Sequence, residues 1–173
     1  GAGGEGGGGG GAWAAGGGGE TNRAREWQNA PGNELSPDAL AQEANKIAKR
    51  HGLEIEVLGP SELRAGGYNL LLGVAAGSTQ PPHMIRLRHR GRELAGKTAE
   101  ADPPVLALIG KGITFDTGGI SLKDPPSMSQ MKADMAVSAA MMAAIGVIAA
   151  RKVPLDVTAV VATPAEHGGP SAR

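Results

Sequence analysis

Apolar and polar positions divide this chain into short, well-bounded elements. After Ser36-Pro37-Asp38, Leu40, Ala44, Ile47 and Ala48 form one stripe at helical spacing, and Lys49, Arg50 and His51 lead into Gly52. A serine cap, a proline and an acid in the first turn, bases in the last turn and a closing glycine predict a helix. Leu53, Ile55 and Val57 then alternate with Glu54 and Glu56, which predicts a strand with one wet face ended by Gly59-Pro60. Ser61 to Ala65 reads as one helical turn, and Leu70 to Val74 as an apolar segment running into the loop Gly77 to Pro82. Met84 to Arg90 sets Arg86, Arg88 and Arg90 against Ile85, Leu87 and His89, a strand with a basic face. Val105 to Ile109 is continuously apolar, Ser129 to Ala150 is an Ala/Met-rich helix buried on most sides, and Leu155 to Val161 is a further strand after Pro154. The succession predicts an α/β domain: three layers, α/β/α, with a mixed sheet and helices on both faces.

Composition changes this picture at one end. The 173 residues include 29 glycines but only two Trp, one Tyr and one Phe. Gly1 to Gly19 is almost entirely glycine and alanine, which neither buries a face nor offsets the entropy of ordering, so residues 1–20 are expected to be a flexible tail and 21–173 the folded domain. The tail lacks the features of a secretory or organellar leader. From Thr21 to Asn29 a short helix with Trp27 as anchor is expected. With no cysteine, disulfides and thiolate metal sites are excluded. Net charge is zero, giving no sign of a nucleic-acid or membrane partner, and no run is read as approaching the roughly 18 apolar residues of a membrane span.

The candidate chemistry lies in LIGKGITFDTGGISLKDPPSMSQMKADMAVSAA, beginning at Leu108. Two lysines, Lys111 and Lys123, and two carboxylates, Asp116 and Asp134, stand in a mostly apolar region. Lys111 ends an apolar run, where open α/β sheets place their ligand sites. Gly118-Gly119 turns the chain back, Ile120 and Leu122 are expected to pack beneath the turn, and Lys123 returns toward Lys111. Carboxylates without thiolate or histidine partners suit a hard divalent cation. A lysine joins such a site only when neutral, and a second, charged lysine suits a developing oxyanion. A structural ion-pair cluster is the alternative.

GKGITFDTGGISLK followed by MKADM resembles the signature of the leucine aminopeptidase (cytosol aminopeptidase) family, and weaker similarity runs from about Ala24 to Glu166. The resemblance implies a metalloexopeptidase that removes N-terminal residues from peptides with two divalent metal ions, Mn or Zn. It places metal ligands at Lys111, Asp116 (bridging) and Asp134, and a catalytic lysine, stabilising the oxyanion, at Lys123. It further implies a cytoplasmic homo-oligomer, a hexamer, acting on peptides, with neither nucleic acid nor membrane as partner. Two departures stand out: Ala136-Val137 replaces two small residues, and Gly168-Gly169-Pro170-Ser171 replaces a more regular pattern. The family's second metal-binding block, an NTDAEGR-like segment, has no counterpart here, and its separate N-terminal domain is absent or reduced to the tail. The expectation is therefore the first half of a catalytic domain, inactive alone; the alternative is a non-catalytic fragment or pseudoenzyme that keeps the fold.

Other signals resolve to plainer readings. Gly91 to Thr98 fits the phosphate-loop pattern G-x-x-x-x-G-K-[ST], but Pro103-Pro104 leaves no room for the helix whose amides would cradle phosphate, so a nucleotide site there is not expected. The arginine strand lacks interleaved aromatics and reads as a solvated face. Met128, Met131, Met135, Met141 and Met142 read as core filling rather than thioether ligands. His51, His83, His89 and His167 have no partner at ligand spacing and receive no role.

Overall fold

The computed structural model describes residues 8–96 and 104–172, with side chains from residue 17 onward. Helix α1 (Gly8–Asn29) is followed by α2 (Pro37–His51), β1 (Glu54–Leu58), the short helices α3 (Pro60–Ala65) and α4 (Asn69–Val74), β2 (His83–Arg90) and the single turn α5 (Gly91–Leu94). Then come β3 (Val105–Lys111), α6 (Pro125–Ser129), α7 (Ala136–Ala150) and β4 (Asp156–Thr163). The sheet order is β1-β2-β4-β3; β2 is antiparallel to β1 and β4, whereas β3 and β4 run parallel with α7 as their crossover. The α/β class and the mixed sheet are as the sequence indicates.

Helix α2 forms as its ends dictate: Ser36 Oγ accepts from the Ala39 amide at 3.2 Å, and Gly52 closes the helix at φ +65°. Leu40, Ala44 and Ile47 face the sheet and meet Ile85 and Leu87 of β2 and Val157, Ala159 and Val161 of β4 in one core. Met135, Ala139, Met142 and Ile145 enter the same core, so Met135 and Met142 fill space as expected. The opposite face of β1 and β2 carries Glu54 and Glu56 paired with Arg86 and Arg90, a solvated ion-pair ladder. β3 forms one edge of the sheet, with Val105 and Ile109 well exposed.

Three expectations need correction. The tail is helical from Gly8, because Glu20 and Trp27 anchor α1 in the fold; residues 1–7 lie outside the described residues. Glu20 is 1% exposed, and its carboxylate takes bonds from His51 Nε2 (2.8 Å), Arg50 (3.2 Å) and Arg23 (3.3 Å). Gly146 of α7 makes room for this cluster: a Cβ there would meet His51 at 3.3 Å and the Glu20 carboxyl carbon at 3.6 Å. Secondly, the helix expected over Ser129 to Ala150 is broken into α6, a 3-10 turn (Gln130–Ala133) and α7. Pro125–Ala150, 26 residues whose most apolar window has mean hydropathy 1.8, does reach the length and apolarity of a span, contrary to the sequence reading. Its 15-residue helical part lies against the sheet, where Ala139, Met142 and Ile145 supply much of that apolarity to the core. Thirdly, Ile120 and Leu122 are exposed, not packed beneath the glycine turn.

Candidate functional site

The parallel strands β3 and β4 end side by side, and the site forms just beyond them. Gly112 N–H bonds to Ala162 O at 2.9 Å and Thr114 N–H to Pro164 O at 3.0 Å, an advance of two residues on each strand. The next rung is Thr117 N–H to Glu166 O at 3.1 Å, three residues against two. One extra residue is therefore accommodated between Thr114 and Thr117, a bulge, and the register resumes with Asp116 opposite Glu166. The consequence is steric. Five positions apart on an extended chain, Lys111 and Asp116 would face opposite sides. The bulge corrects the parity, because their partners Ala162 and Glu166 are an even number of residues apart.

Past Asp116 the chain turns through Gly118 (φ +89°) and Gly119 (φ +63°), where a side chain would be strained; a Cβ on Gly118 would lie 2.3 Å from Ser121 O. The turn puts the Gly118 amide 2.7 Å from Asp116 Oδ1 and returns Lys123, whose Nζ lies 2.7 Å from the same oxygen. Asp134, between the 3-10 turn and α7, has Oδ1 2.7 Å from Lys111 Nζ. Its Oδ2 is buried without a hydrogen-bond partner. The structure thus gathers all four residues singled out in the sequence, as two ion pairs: Lys111 with Asp134 and Lys123 with Asp116.

Glu166, just past β4, was not recognised from sequence. It lies directly opposite Asp116 across the two strands, and the two acids interact electrostatically. Burial pushes Glu166 above the ordinary carboxylate range, and Asp116 adds to the shift. Burial also opposes ionisation of Asp116, but Lys123, the Gly118 amide and Glu166 outweigh it and hold Asp116 below its usual value. Lys123 is raised, chiefly by its bond to Asp116. The only sequence signal for Glu166 was its position after a strand parallel to the one carrying Lys111.

Among the described residues, no three Asp, Glu, His or Cys side chains meet in a ready metal cluster. The donor set nevertheless fits a hard divalent cation. It is made of carboxylate oxygens, one of them unspent and buried. Histidines serve elsewhere: His51 on Glu20, His83 on Asp38, His89 on Val153 O and His167 on Ser78. Val137, the bulkier residue in the motif, is half exposed. Of the phosphate-loop pattern, Gly91 to Leu94 form one helical turn, and Lys97 and Thr98 lie outside the described residues.

Residues 22–173 match the catalytic domain of the cytosol aminopeptidase family, and the chain belongs to that family. A "Probable cytosol aminopeptidase" of Geobacter sp. (strain M21) is 45% identical over 140 residues, 81% of this chain and 27% of that protein. Among solved structures, the bottromycin maturation enzyme BotP in complex with Mn superposes with a TM-score of 0.81 at 31% identity, over 93% of this chain and 33% of BotP. The apo leucyl aminopeptidase of Trypanosoma cruzi gives 0.83 at 27% identity, over 94% of this chain and 30% of its own. The chain thus spans about a third or less of the length of these relatives.

Proposed function

We propose that this cluster is part of a metallo-aminopeptidase centre acting on the N-terminal residues of peptides, with Lys111, Asp116 and Asp134 as donors to divalent cations of the Mn or Zn type. The observation that carries the reading is the buried, unpartnered Oδ2 of Asp134 beside a closed Lys111 pair. An orphaned carboxylate oxygen in such a place is costly unless a cation uses it. A bound divalent ion would supply Lewis acidity toward a peptide carbonyl and toward water. Lys111 would join it as the neutral amine, releasing Asp134 from the present ion pair. Asp116, kept ionised by Lys123 and the Gly118 amide, would present its carboxylate. Lys123, 28% exposed and firmly protonated, would turn from Asp116 toward a substrate oxygen that gains negative charge.

Three donors from this chain fall short of the four to six that such ions take. The 173-residue chain by itself should therefore bind at most one ion, weakly, and hydrolyse no leucine amide substrate above metal-only controls. Cytoplasmic location, supported by the name its relatives carry, and assembly into a homo-oligomer belong to the same proposal for the whole protein. The second reading, a non-catalytic fold stabilised by two ion pairs, draws on both lysines already being paired at 2.7 Å. Titration with Mn(II), followed by the electron paramagnetic resonance of the free ion, separates the two. Saturable binding lost in Asp134→Asn supports the centre, and no saturable binding overturns it.

A further inference from the structure

We propose that Phe115 is a positioning residue of this site: its ring, clamped between Gly32 and His167, fixes the backbone from which Asp116 projects. The inference rests on the reading of Asp116 as a donor given above. It goes beyond it in assigning a role to an apolar side chain and its supports, none of them a donor.

Across the bulge, Thr114 and Phe115 together face the single residue Ala165. Thr114 N–H bonds to Pro164 O, and the next rungs, Glu166 N–H to Phe115 O at 2.9 Å and Thr117 N–H to Glu166 O at 3.1 Å, close around Asp116. Such a place leaves the backbone more than one way to take up its surplus residue, and each way aims the following side chain differently. Neighbours on an extended chain point to opposite faces, so whatever grips Phe115 sets the direction of Asp116. The grip comes from two sides. The loop between α1 and α2 lies so close that a Cβ on Gly32 would be 3.0 Å from the Cβ and Cδ2 of Phe115. The ring also stacks on the imidazole of His167, with centroids 6.1 Å apart and planes inclined by 25°, within the range of favourable aromatic pairs. His167 is in turn held by Ser78, Nδ1 to Oγ at 2.8 Å. Ser78 follows the 3-10 turn Ala75–Gly77, so two segments remote from the site in sequence brace the ring. On the other side of Asp116, the glycine turn brings the Gly118 amide and Lys123 Nζ to one oxygen, Oδ1, each at 2.7 Å. Both bonds require the carboxylate to be delivered to one place, and the clamp on Phe115 delivers it.

The Gly118 amide reports on this delivery, because its exchange with solvent is slowed while it donates to Asp116 Oδ1. Gly118 exchange, measured by NMR at fixed pH against the β4 amide of Ala159, and Mn(II) affinity by the resonance signal above are recorded for the 173-residue chain and its variants. Phe115→Tyr keeps the ring, and the cavity of about 440 Å³ that it borders has room for the hydroxyl. Both readouts should stay within about twofold of the parent. Phe115→Leu keeps apolar bulk without the ring, and His167→Ala takes away the stacking partner at less risk to folding. Each should speed Gly118 exchange relative to Ala159 and weaken Mn(II) binding by at least about tenfold, the low end of what groups supporting metal ligands contribute. Glu20→Ala, remote from the site, is the control: it should lower the melting temperature without altering either readout. Parent-like Gly118 exchange in Phe115→Leu or His167→Ala, Phe115→Tyr as perturbed as Phe115→Leu, or an equal effect from Glu20→Ala overturns the positioning role. If the parent itself takes up no Mn(II) saturably, the metal reading fails, and Gly118 exchange alone decides on the clamp.

Discussion

Lys111 and Lys123 are each 2.7 Å from an aspartate, yet they are not equivalent: Asp134, the partner of Lys111, has a buried oxygen with no hydrogen-bond partner, while Asp116, the partner of Lys123, is held from several sides. Substitution should expose the difference. Lys111→Ala should weaken Mn(II) binding, because a donor is lost. Lys123→Ala should leave the ion bound and, in a chain carrying the whole catalytic domain, lower kcat with little change in KM, as for a group acting on the transition state. Tighter Mn(II) binding by Lys111→Ala would mean that this lysine only competes with the ion for Asp134.

Glu20 ties α1 to the end of α2, and its removal should be felt. Burial disfavours its charged form, but the bonds from His51 and Arg23 outweigh this and hold its pKa below the ordinary value. Losing a buried, bonded carboxylate costs about 1–3 kcal/mol, so Glu20→Ala should lower the melting temperature by about 3–10 °C. A depressed carboxylate pKa stabilises fully above the unfolded value and loses that contribution as pH falls through the folded one. The parent should therefore lose stability below about pH 4.3, and Glu20→Gln should show a shallower fall there. A melting curve that is the same for both across pH 5 to 3 (roughly one unit either side of that value) would show that the cluster contributes nothing.

Gly110 of β3 faces α7 so closely that a Cβ would lie 2.8 Å from the Ser138 Cα, while a Cβ on Gly73 would meet nothing within 4 Å. Gly110→Ala should destabilise by about 1–3 kcal/mol through overpacking, with the melting temperature falling accordingly. Gly73→Ala, in α4, should be neutral or slightly stabilising. Equal melting temperatures for the two variants would contradict the packing of β3 on α7.

Magnesium ATP should produce no thermal shift. Ligands that bind the folded state raise its melting point by mass action, and the phosphate-loop pattern at Gly91 to Thr98 starts in a four-residue turn, α5. A rise of several degrees at millimolar nucleotide would reinstate the site.

Much of this was legible beforehand, for physical reasons. Ser36, Pro37 and Gly52 are local signals whose partners lie within a few residues, so α2 could be read to within a residue or two. Strands β1, β2 and β4 alternate because one face is buried. What escaped depends on distant partners. The helical state of Gly8 to Gly19 runs against glycine's propensity, and it continues from a segment anchored by the bonds of Glu20 to α2. Ile120 and Leu122 looked like packing residues because apolar, yet both are exposed. Glu166 could not be found by spacing at all, since fifty residues separate it from the acid it touches.

The bulge between Thr114 and Thr117 has a consequence for how the motif tolerates change. Removing a single residue there would restore regular pairing, and Asp116 would then stand four positions after Lys111, still opposite Glu166 and still on the same face. The stretch GKGITFD thus carries one residue more than the pairing with β4 requires: the surplus bends the backbone ahead of the glycine turn, while the side from which Asp116 emerges is kept by its partner strand.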